Sequence, residues 1–344
     1  MGALLRDAGG GAGAEPVASV FDSFAVPAAL AHALRLEPVE EVPDPDVAVP
    51  GGDLVVLAGP GVLATDNIEG LSAFAAAANV PVANTWGAKG VLRWDSPHHM
   101  GTCGLQARDF ELLGFARYDT VVATGIDPAE SPPERFALAP VVEVPARELE
   151  RLAQQVHPAP GDIRPNDLYG QLSKVAQPGY VDARVPLHPA RAVADVRAAL
   201  PAGGVVTADP GVAGVWVART FPTTEPGTVV VPATARRGIA AALALAAALL
   251  GMPAIAVTIG PLDPTTLAVL KLATEMRATF VVDVWGTGGP VRRVDDHVAQ
   301  LQQAVTEPGV TIVDLPVDLS LTRKLVDAAG PVVAWGGLPV REPR

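Results

Sequence analysis

The feature that most constrains the fold is a set of short runs that are apolar at every position and alternate with helical segments. Asp53–Ala58 reads DLVVLA and Thr120–Thr124 reads TVVAT. A strand that is apolar on both faces is typical of a parallel sheet covered by helices on both sides. The first half adds two shorter runs of this kind at Pro81–Asn84 and Pro140–Val144, with helical segments predicted at Leu71–Ala78 and Ala107–Phe115.

The same alternation begins again in the second half of the chain. Further strands are predicted at Gly204–Ala208, Ala254–Ile259, Phe280–Val284 and Val310–Leu315. The helices predicted between and after them are Pro189–Leu200, Ile239–Leu250, Leu267–Met276, Val294–Val305 and Ser320–Ala329. A chain of 344 residues is long enough for two domains that each bury a core. The prediction is therefore an α/β protein with two Rossmann-like, parallel-sheet, three-layer domains at residues 50–178 and 186–340.

The sequence outside these two units is different in character. Residues 1–16 are rich in Gly and Ala and predict a mobile tail, and Val26–Leu36 predicts a short helix that Pro27 opens. Pro38–Pro50 is acidic, is punctuated by prolines and predicts a linker. Between the two domains, Gln177–Pro186 has no periodic apolar positions and predicts irregular structure.

Charge and composition exclude several kinds of partner. The 37 acidic and 25 basic residues give a net charge of −12, which argues against binding to nucleic acid or to an anionic membrane surface. No apolar run is long enough for a membrane helix without an interrupting Gly, Pro or charge. Cys103 is the only cysteine, so an internal disulfide is excluded and a cytoplasmic location is expected.

Two places in the first half could contact an anion or a nucleotide. Gly59 and Gly61 follow a predicted strand, where glycines can let a phosphate approach the backbone, although the third glycine of the dinucleotide fingerprint is missing. The alternative is a tight turn at the edge of the sheet. Thr85 and Lys89, with the His98/His99 pair, could form a second anion site or be ordinary loop residues.

Residues in both halves together resemble a known enzyme family. The stretch Pro81–Gly104 carries Thr85, a Lys89-Gly90 pair, a Pro97-His98 loop and a Gly101-x-x-Gly104 turn. The second half carries Leu187-His188-Pro189, the run VVTADPG at Val205–Gly211, and an alanine-rich helix at Gly238–Leu250. These features resemble the middle and C-terminal domains of the thiamine-diphosphate (ThDP) enzymes related to acetolactate synthase.

The resemblance also implies where this chain departs from that family. The family's metal-binding Asp would stand at Leu262 of this sequence, and leucine offers no ligand to Mg²⁺. Its second metal segment would fall near Trp285, which would fill the space. We therefore expect ThDP and magnesium to be lost, with no metal site and no catalytic residue. The degenerate corner consists of Gly260, Leu262, Asp263, Trp285 and Gly286.

Arg236 and Arg237 precede the alanine-rich helix and leave two interpretations open. Their guanidinium groups could bind an anion without metal, or they could lie in a solvated turn.

The resemblance implies a pyrimidine-binding domain that residues 1–49 are too short to form, so that this segment is expected to be its remnant and a linker. The function predicted on these grounds is a non-catalytic homologue that serves binding, assembly or regulation. The alternatives are one subunit of a split ThDP enzyme, completed by a separate pyrimidine-binding chain, and a nucleotide- or anion-binding protein. A homo-oligomer is expected, with a two-fold dimer favoured and Trp285 near the contact.

Overall fold

The fold was examined in a computed structural model, which describes residues 27–33, 37–42, 44, 46–48, 51–286 and 288–337. The predicted mobile tail, residues 1–16, lies outside the described residues. The short helix predicted after it is present as α1, Ala28–Ala33, and its Ala29 and Leu30 are buried. The described residues of the predicted linker, within 38–48, form no helix or strand.

The first half forms a parallel sheet, as the apolar runs predict. Its strands are β1 Leu54–Ala58, β2 Val82–Thr85, β3 His99–Cys103, β4 Thr120–Thr124 and β5 Val141–Glu143, in the order β3-β2-β1-β4-β5. The helices of this half are α2 Gly61–Ala64, α3 Ile68–Ala78, α4 Asp109–Leu113, α5 Pro133–Phe136 and α6 Leu149–Ala153.

The central strand shows why the first sheet is covered on both faces. In β1, Val56 and Ala58 pack into one buried cluster with Phe74 of α3, whereas Val55 and Leu57 pack into a second cluster on the opposite face. All five residues of β1 are buried. The successive side chains of a strand point to opposite faces, so a run that is apolar throughout requires two covering layers.

The second half repeats this plan. Its strands are β6 Val205–Ala208, β7 Val229–Val230, β8 Ala254–Ile259, β9 Phe280–Gly286 and β10 Val310–Pro316, in the order β10-β9-β8-β6-β7. Its helices are α8 Pro189–Ala199, α9 Val212–Thr220, α10 Ile239–Leu249, α11 Pro264–Glu275, α12 Val294–Ala304, α13 Thr322–Ala329 and α14 Ala334–Gly337. The predicted fold class is confirmed, because both sheets are parallel and lie between helices.

The segment between the two sheets differs from its prediction. A helix, α7, spans Asp167–Tyr180, so the first four residues of the stretch predicted to be irregular are helical. Asn166 caps this helix by accepting a hydrogen bond from the backbone N–H of Tyr169 at 2.8 Å. Leu168 packs into a cluster of the first half and Ala176 into a cluster of the second, so α7 joins the two cores.

The two halves also share buried side chains directly. Trp86 and Leu105, from the first half, belong to the large cluster around α8 and α9. Ala329, near the end of the chain, belongs to a cluster of the first half. Gln106 donates hydrogen bonds to the carbonyls of Leu325 and Gly330 at 2.8 and 2.7 Å. The ranges predicted for the two domains each enclose one sheet, and their limits stay a prediction.

A membrane span would need a longer apolar helix than any found in the described part of the chain.

Candidate functional site

The corner predicted from the sequence lies at the carboxyl ends of β6 and β8, where the strand order of the second sheet reverses. After β6 the chain runs to β7 on one side, and after β7 it returns to the other side of β6 as β8. In open α/β sheets, ligands bind outside the carboxyl ends of the strands at such a point. Here the two strand ends are followed by Asp209 and by Gly260-Pro261-Leu262-Asp263.

Asp209 is buried in this corner and is bonded on both carboxylate oxygens. Its Oδ1 accepts from the backbone N–H of Ala240 at 2.9 Å, and its Oδ2 accepts from the Thr258 hydroxyl at 2.5 Å. Burial raises the pKa of Asp209, and these hydrogen bonds act in the opposite direction. Ala240 is in the first turn of α10, so the carboxylate already lies at the helix end that could attract an anion.

Asp263, one residue from the position expected for a metal ligand, is the N-cap of α11. Its Oδ1 accepts from the backbone N–H groups of Thr265 and Thr266 at 2.9 and 3.2 Å, and its Oδ2 accepts from the Thr266 hydroxyl at 2.6 Å. Leu262 is half-buried and packs against the apolar cluster around α10. Neither side chain is placed to complete an octahedral oxygen shell for Mg²⁺.

Trp285 lies inside the domain and is not at the exposed edge of the corner. Its side chain is fully buried in the cluster around α8 and α9, and its Nε1 donates to Asp283 Oδ2 at 2.8 Å. The expectation that Trp285 lies near a dimer contact assumed an exposed side chain, and the side chain is not exposed. The reason is the strand period of two: position 285 points to the α8 and α12 face of β9.

The remaining predicted corner residues have structural roles. Gly260 continues the ladder by donating its N–H to the carbonyl of Trp285 at 2.9 Å, and Gly286 ends β9. Arg237 is exposed and donates to the carbonyls of Ile259 and Pro261 at 2.9 and 3.3 Å, which ties it to the turn after β8. Arg236 is exposed beside it.

The glycine turn after β1 has no free donor for a phosphate. The N–H groups of Gly59 and Gly61 donate to the carbonyls of Thr124 and Gly125, both at 2.8 Å. A Cβ at Gly59 would lie 2.2 Å from the Gly125 carbonyl oxygen, so these glycines let two turns pack together. The adjoining cavity of about 670 Å³ is lined by two acidic residues, Asp127 and Glu130, and burial raises the pKa of Glu130 to about 8.

Lys89 is separate from both of these places. It follows β2 and a single 3₁₀ turn, Trp86–Ala88, and it lines a cavity of about 430 Å³ between the two halves. The other predicted anion contact, Thr85, ends β2 and is fully buried, and it is not among the residues lining that cavity. Arg236 and Arg237 do not line this cavity either, so the predicted anion contacts do not form one site.

The Lys89-Gly90 pair is positioned by contact with the second half. Gly90 has φ +83°, and a Cβ there would lie 2.1 Å from Thr223 Cγ2. Trp94 donates its backbone N–H to the Thr223 carbonyl at 3.0 Å. The turn is thus held against the segment that follows α9, and Lys89 is directed between the two halves.

Sequence reasoning missed the residue that faces Lys89 from the second half. Arg219 is 1% exposed in its side chain and pairs with Asp109 at 2.5 Å. It also donates to Gln106 Oε1 at 3.1 Å. In the sequence, Arg219 is the only charged residue of the otherwise apolar α9, and such a placement could have indicated a buried ion pair.

The described residues contain no cluster of three or more His, Cys, Asp or Glu side chains that could hold a metal ion. The corner residues do not fit a ThDP–magnesium group either, because the available carboxylates are bonded within the protein and the adjoining side chains are apolar.

Comparison with known proteins agrees with this description of the fold. Residues 53–163 match the family model described as the central domain of thiamine pyrophosphate enzymes. A search of curated proteins found no match.

Two solved structures have the same arrangement of the backbone. A provisionally assigned thiamin diphosphate-dependent enzyme from Mycobacterium smegmatis is 17% identical with a TM-score of 0.61. A thiamine diphosphate-dependent 4-hydroxybenzoylformate decarboxylase from Rhodococcus jostii RHA1 is 15% identical with a TM-score of 0.62. Each match covers 77% of this chain and 61% of the other, so this chain spans about three fifths of their length. At this identity, the likeness shows the fold alone.

Proposed function

We propose, from the match of residues 53–163 to the central domain of thiamine pyrophosphate enzymes, that this chain is a non-catalytic homologue that has kept the fold and given up the cofactor. Its function is the binding of another molecule, or assembly or regulation through such binding. The observation that carries this proposal is the corner at β6 and β8, where Asp209 and Asp263 are both bonded within the protein. A fold does not by itself confer an activity, so the residues at the corner determine whether the chain can hold the cofactor.

The metal is the first requirement that the corner does not meet. Mg²⁺ takes hard oxygen ligands at about 2.1 Å in near-octahedral geometry and keeps several of its waters. Recruiting Asp263 would break the cap of α11, and loss of such a cap costs about 1 kcal/mol. Recruiting Asp209 would break its bonds to Thr258 and Ala240. The Leu262 side chain has no oxygen atom and cannot coordinate Mg²⁺.

The diphosphate is the second requirement. The N-terminus of α10 is already next to a carboxylate, and a diphosphate there would face the charge of Asp209. Arg237 could supply a compensating charge only by giving up its bonds to two backbone carbonyls. A split enzyme would need the same metal ligands on this chain, so the same geometry argues against that alternative. A cytoplasmic homodimer remains part of the proposal, without Trp285 as its contact.

Calorimetric titration of the purified chain with ThDP in the presence of Mg²⁺ tests this proposal. We expect no saturable heat, and we expect the same result for Leu262→Asp, because restoring one ligand leaves Asp209 and Asp263 engaged. A low-micromolar dissociation constant that weakens tenfold on chelation, which is about 1.4 kcal/mol of coupling to the metal, would overturn it.

A further inference from the structure

The cavity next to Lys89 has the size and lining of a small-molecule site. Its volume is about 430 Å³, and pockets for small ligands usually measure about 300–1,000 Å³. The first half contributes Lys89, Trp94 and β3, the connecting helix α7 forms a wall, and the second half contributes Arg219 and Pro222. The cavity is separate from the corner at β6 and β8.

Lys89 is the unusual group in this cavity. Its side chain is only 6% exposed, and no described residue gives its Nζ a hydrogen bond or an opposite charge. Burial, together with the nearby charge of Arg219, lowers the pKa of Lys89 to about 7. A mostly buried amine that meets no carboxylate is costly to charge, and an anion bound in the cavity would offset that cost.

The charges that face Lys89 do not include a free carboxylate. Arg219 is neutralised by Asp109 at 2.5 Å. On β3, burial and the charge of Lys89 lower the pKa of His99 to about 4, so that its ring is neutral near pH 7. On α7, Tyr180 donates its hydroxyl to the Thr220 carbonyl at 2.7 Å, and burial raises its pKa to about 12.

The rest of the wall is mostly apolar, although Thr102, Ser173 and Gln177 also line the cavity. Met100, Leu168 and Leu172 line the interior. Trp94 and Tyr169 line the cavity as well, and each is 49% exposed, which is unusual for such large side chains. An inorganic anion would leave this surface in water, whereas a ligand with an apolar body would cover it.

We propose that this cavity binds a small carboxylate with an aromatic or branched aliphatic body, its carboxylate paired with the Lys89 ammonium and its body against Met100, Leu168 and Leu172. This inference deepens the binding function proposed above and rests on it. Binding requires the protonated amine, so near neutral pH the Lys89 amine takes up a proton from solvent when the carboxylate binds, and the carboxylate itself stays ionised.

Titration calorimetry with benzoate and 3-phenylpropionate tests the inference. Benzamide, which lacks the negative charge, and inorganic phosphate, which lacks the apolar body, are the control probes. We expect millimolar or tighter binding of the two carboxylates and at least tenfold weaker binding of the other two. With a free pKa of about 7 for Lys89, the affinity for benzoate should be about tenfold higher at pH 6 than at pH 8. The carboxyl group of the probe stays ionised throughout, since its pKa is about 4.

Lys89→Met keeps the length of the side chain and removes its charge, and Lys174→Met, at an exposed position of α7, is the matched control. Lys89→Met should lose at least tenfold in affinity and all of the pH dependence, whereas Lys174→Met should bind as the wild type does. Thermal unfolding checks that both variants are folded.

Absence of carboxylate binding at millimolar concentration, or equal affinity of Lys89→Met and wild type, would overturn the inference. Binding of ThDP with Mg²⁺ would overturn the proposed function instead, and it would leave the Lys89→Met comparison unchanged, so the two failures are distinguishable.

Discussion

At the scale of single residues, the charged network beneath β9 is the most sensitive feature of the second half. His297 is fully buried, with Nδ1 at 3.0 Å from Asp195 Oδ2 and Nε2 at 3.3 Å from Asp283 Oδ1. An ionised carboxylate only accepts hydrogen bonds, so both ring nitrogens must donate and the ring is an imidazolium. Burial alone would lower the pKa of His297, but the two carboxylates outweigh it and raise the pKa to about 9.

This network should make stability depend on pH. The folded pKa of His297 lies above the ordinary value of 6.5, so its contribution is complete below pH 6.5 and is lost as the pH rises through about 9. The loss is on the order of 3 kcal/mol. Urea unfolding at several pH values should show this decline in the unfolding free energy of the wild type. His297→Gln should not show it.

The comparison with His297→Gln is needed because other buried groups titrate in the same range. Lys89 and Glu130 have pKa values of about 7 and about 8, and both are unchanged in the variant. If the difference in unfolding free energy between the two proteins is the same at pH 6 and pH 9, His297 is not the charged centre described here.

At the scale of elements, the turn between β2 and β3 is fixed by its contact with the segment after α9. Gly90→Ala should destabilise the protein in two ways: by the cost of φ +83° for a residue with a side chain and by the clash with Thr223. Gly161 is the matched control, since it has φ +85° and nothing within 4 Å of the added Cβ. We expect Gly161→Ala to cost about 1 kcal/mol and Gly90→Ala about 1–3 kcal/mol more.

Urea unfolding followed by tryptophan fluorescence measures both variants. Thr223→Ser removes the nearest atom of the clash and should recover part of the loss in Gly90→Ala. Equal destabilisation by the two alanine variants would mean that the turn moves freely, and Lys89 would then not be held in its cavity.

The sequence predicted the strands that are apolar throughout and missed those that are not, and it also missed helix α9. Eight of the strands follow the apolar pattern. Strand β3 contains His99, Gly101 and Thr102, and its pairing with β2 shifts register, so it has no regular pattern. Strand β7 has only two residues. Helix α7 contains Gly170 and Pro178, which conceal its period, and its stability comes from packing between the halves.

The site was less predictable than the fold because it is built across the two halves. Lys89 could be singled out as a lysine beside a glycine at a sheet edge, but its burial depends on α7 and Arg219, which are far away in sequence. The sequence placed Trp285 near the corner, but it did not predict which face of β9 the side chain would occupy. A one-residue difference in register decides which face a strand residue occupies, and no motif fixes that.

At the scale of the whole molecule, the ion pair between Arg219 and Asp109 joins the two halves at a point that is almost completely buried. Arg219→Met should destabilise the chain by about 3–5 kcal/mol, because the buried Asp109 then loses the cation it pairs with and keeps only the hydrogen bond from the Gln106 N–H. Adding Asp109→Asn removes that charge and should recover part of the loss.

Fluorescence and far-ultraviolet circular dichroism should report one unfolding transition for the wild type, since buried clusters contain side chains from both halves. Two separate transitions would show that the halves fold independently. If the halves fold independently, the ion pair does not couple them, and adding Asp109→Asn to Arg219→Met should recover no stability.

The way in which Asp209 is held has a consequence for substitutions at the neighbouring position 262. Asp263 is close enough for its charge to raise the pKa of Asp209, and Leu262 precedes it directly. A new carboxylate at position 262 would enter a neighbourhood that already contains the carboxylates of Asp209 and Asp263. Leu262→Asp would therefore crowd a third negative charge into the corner, and the substitution would raise the pKa of Asp209 further.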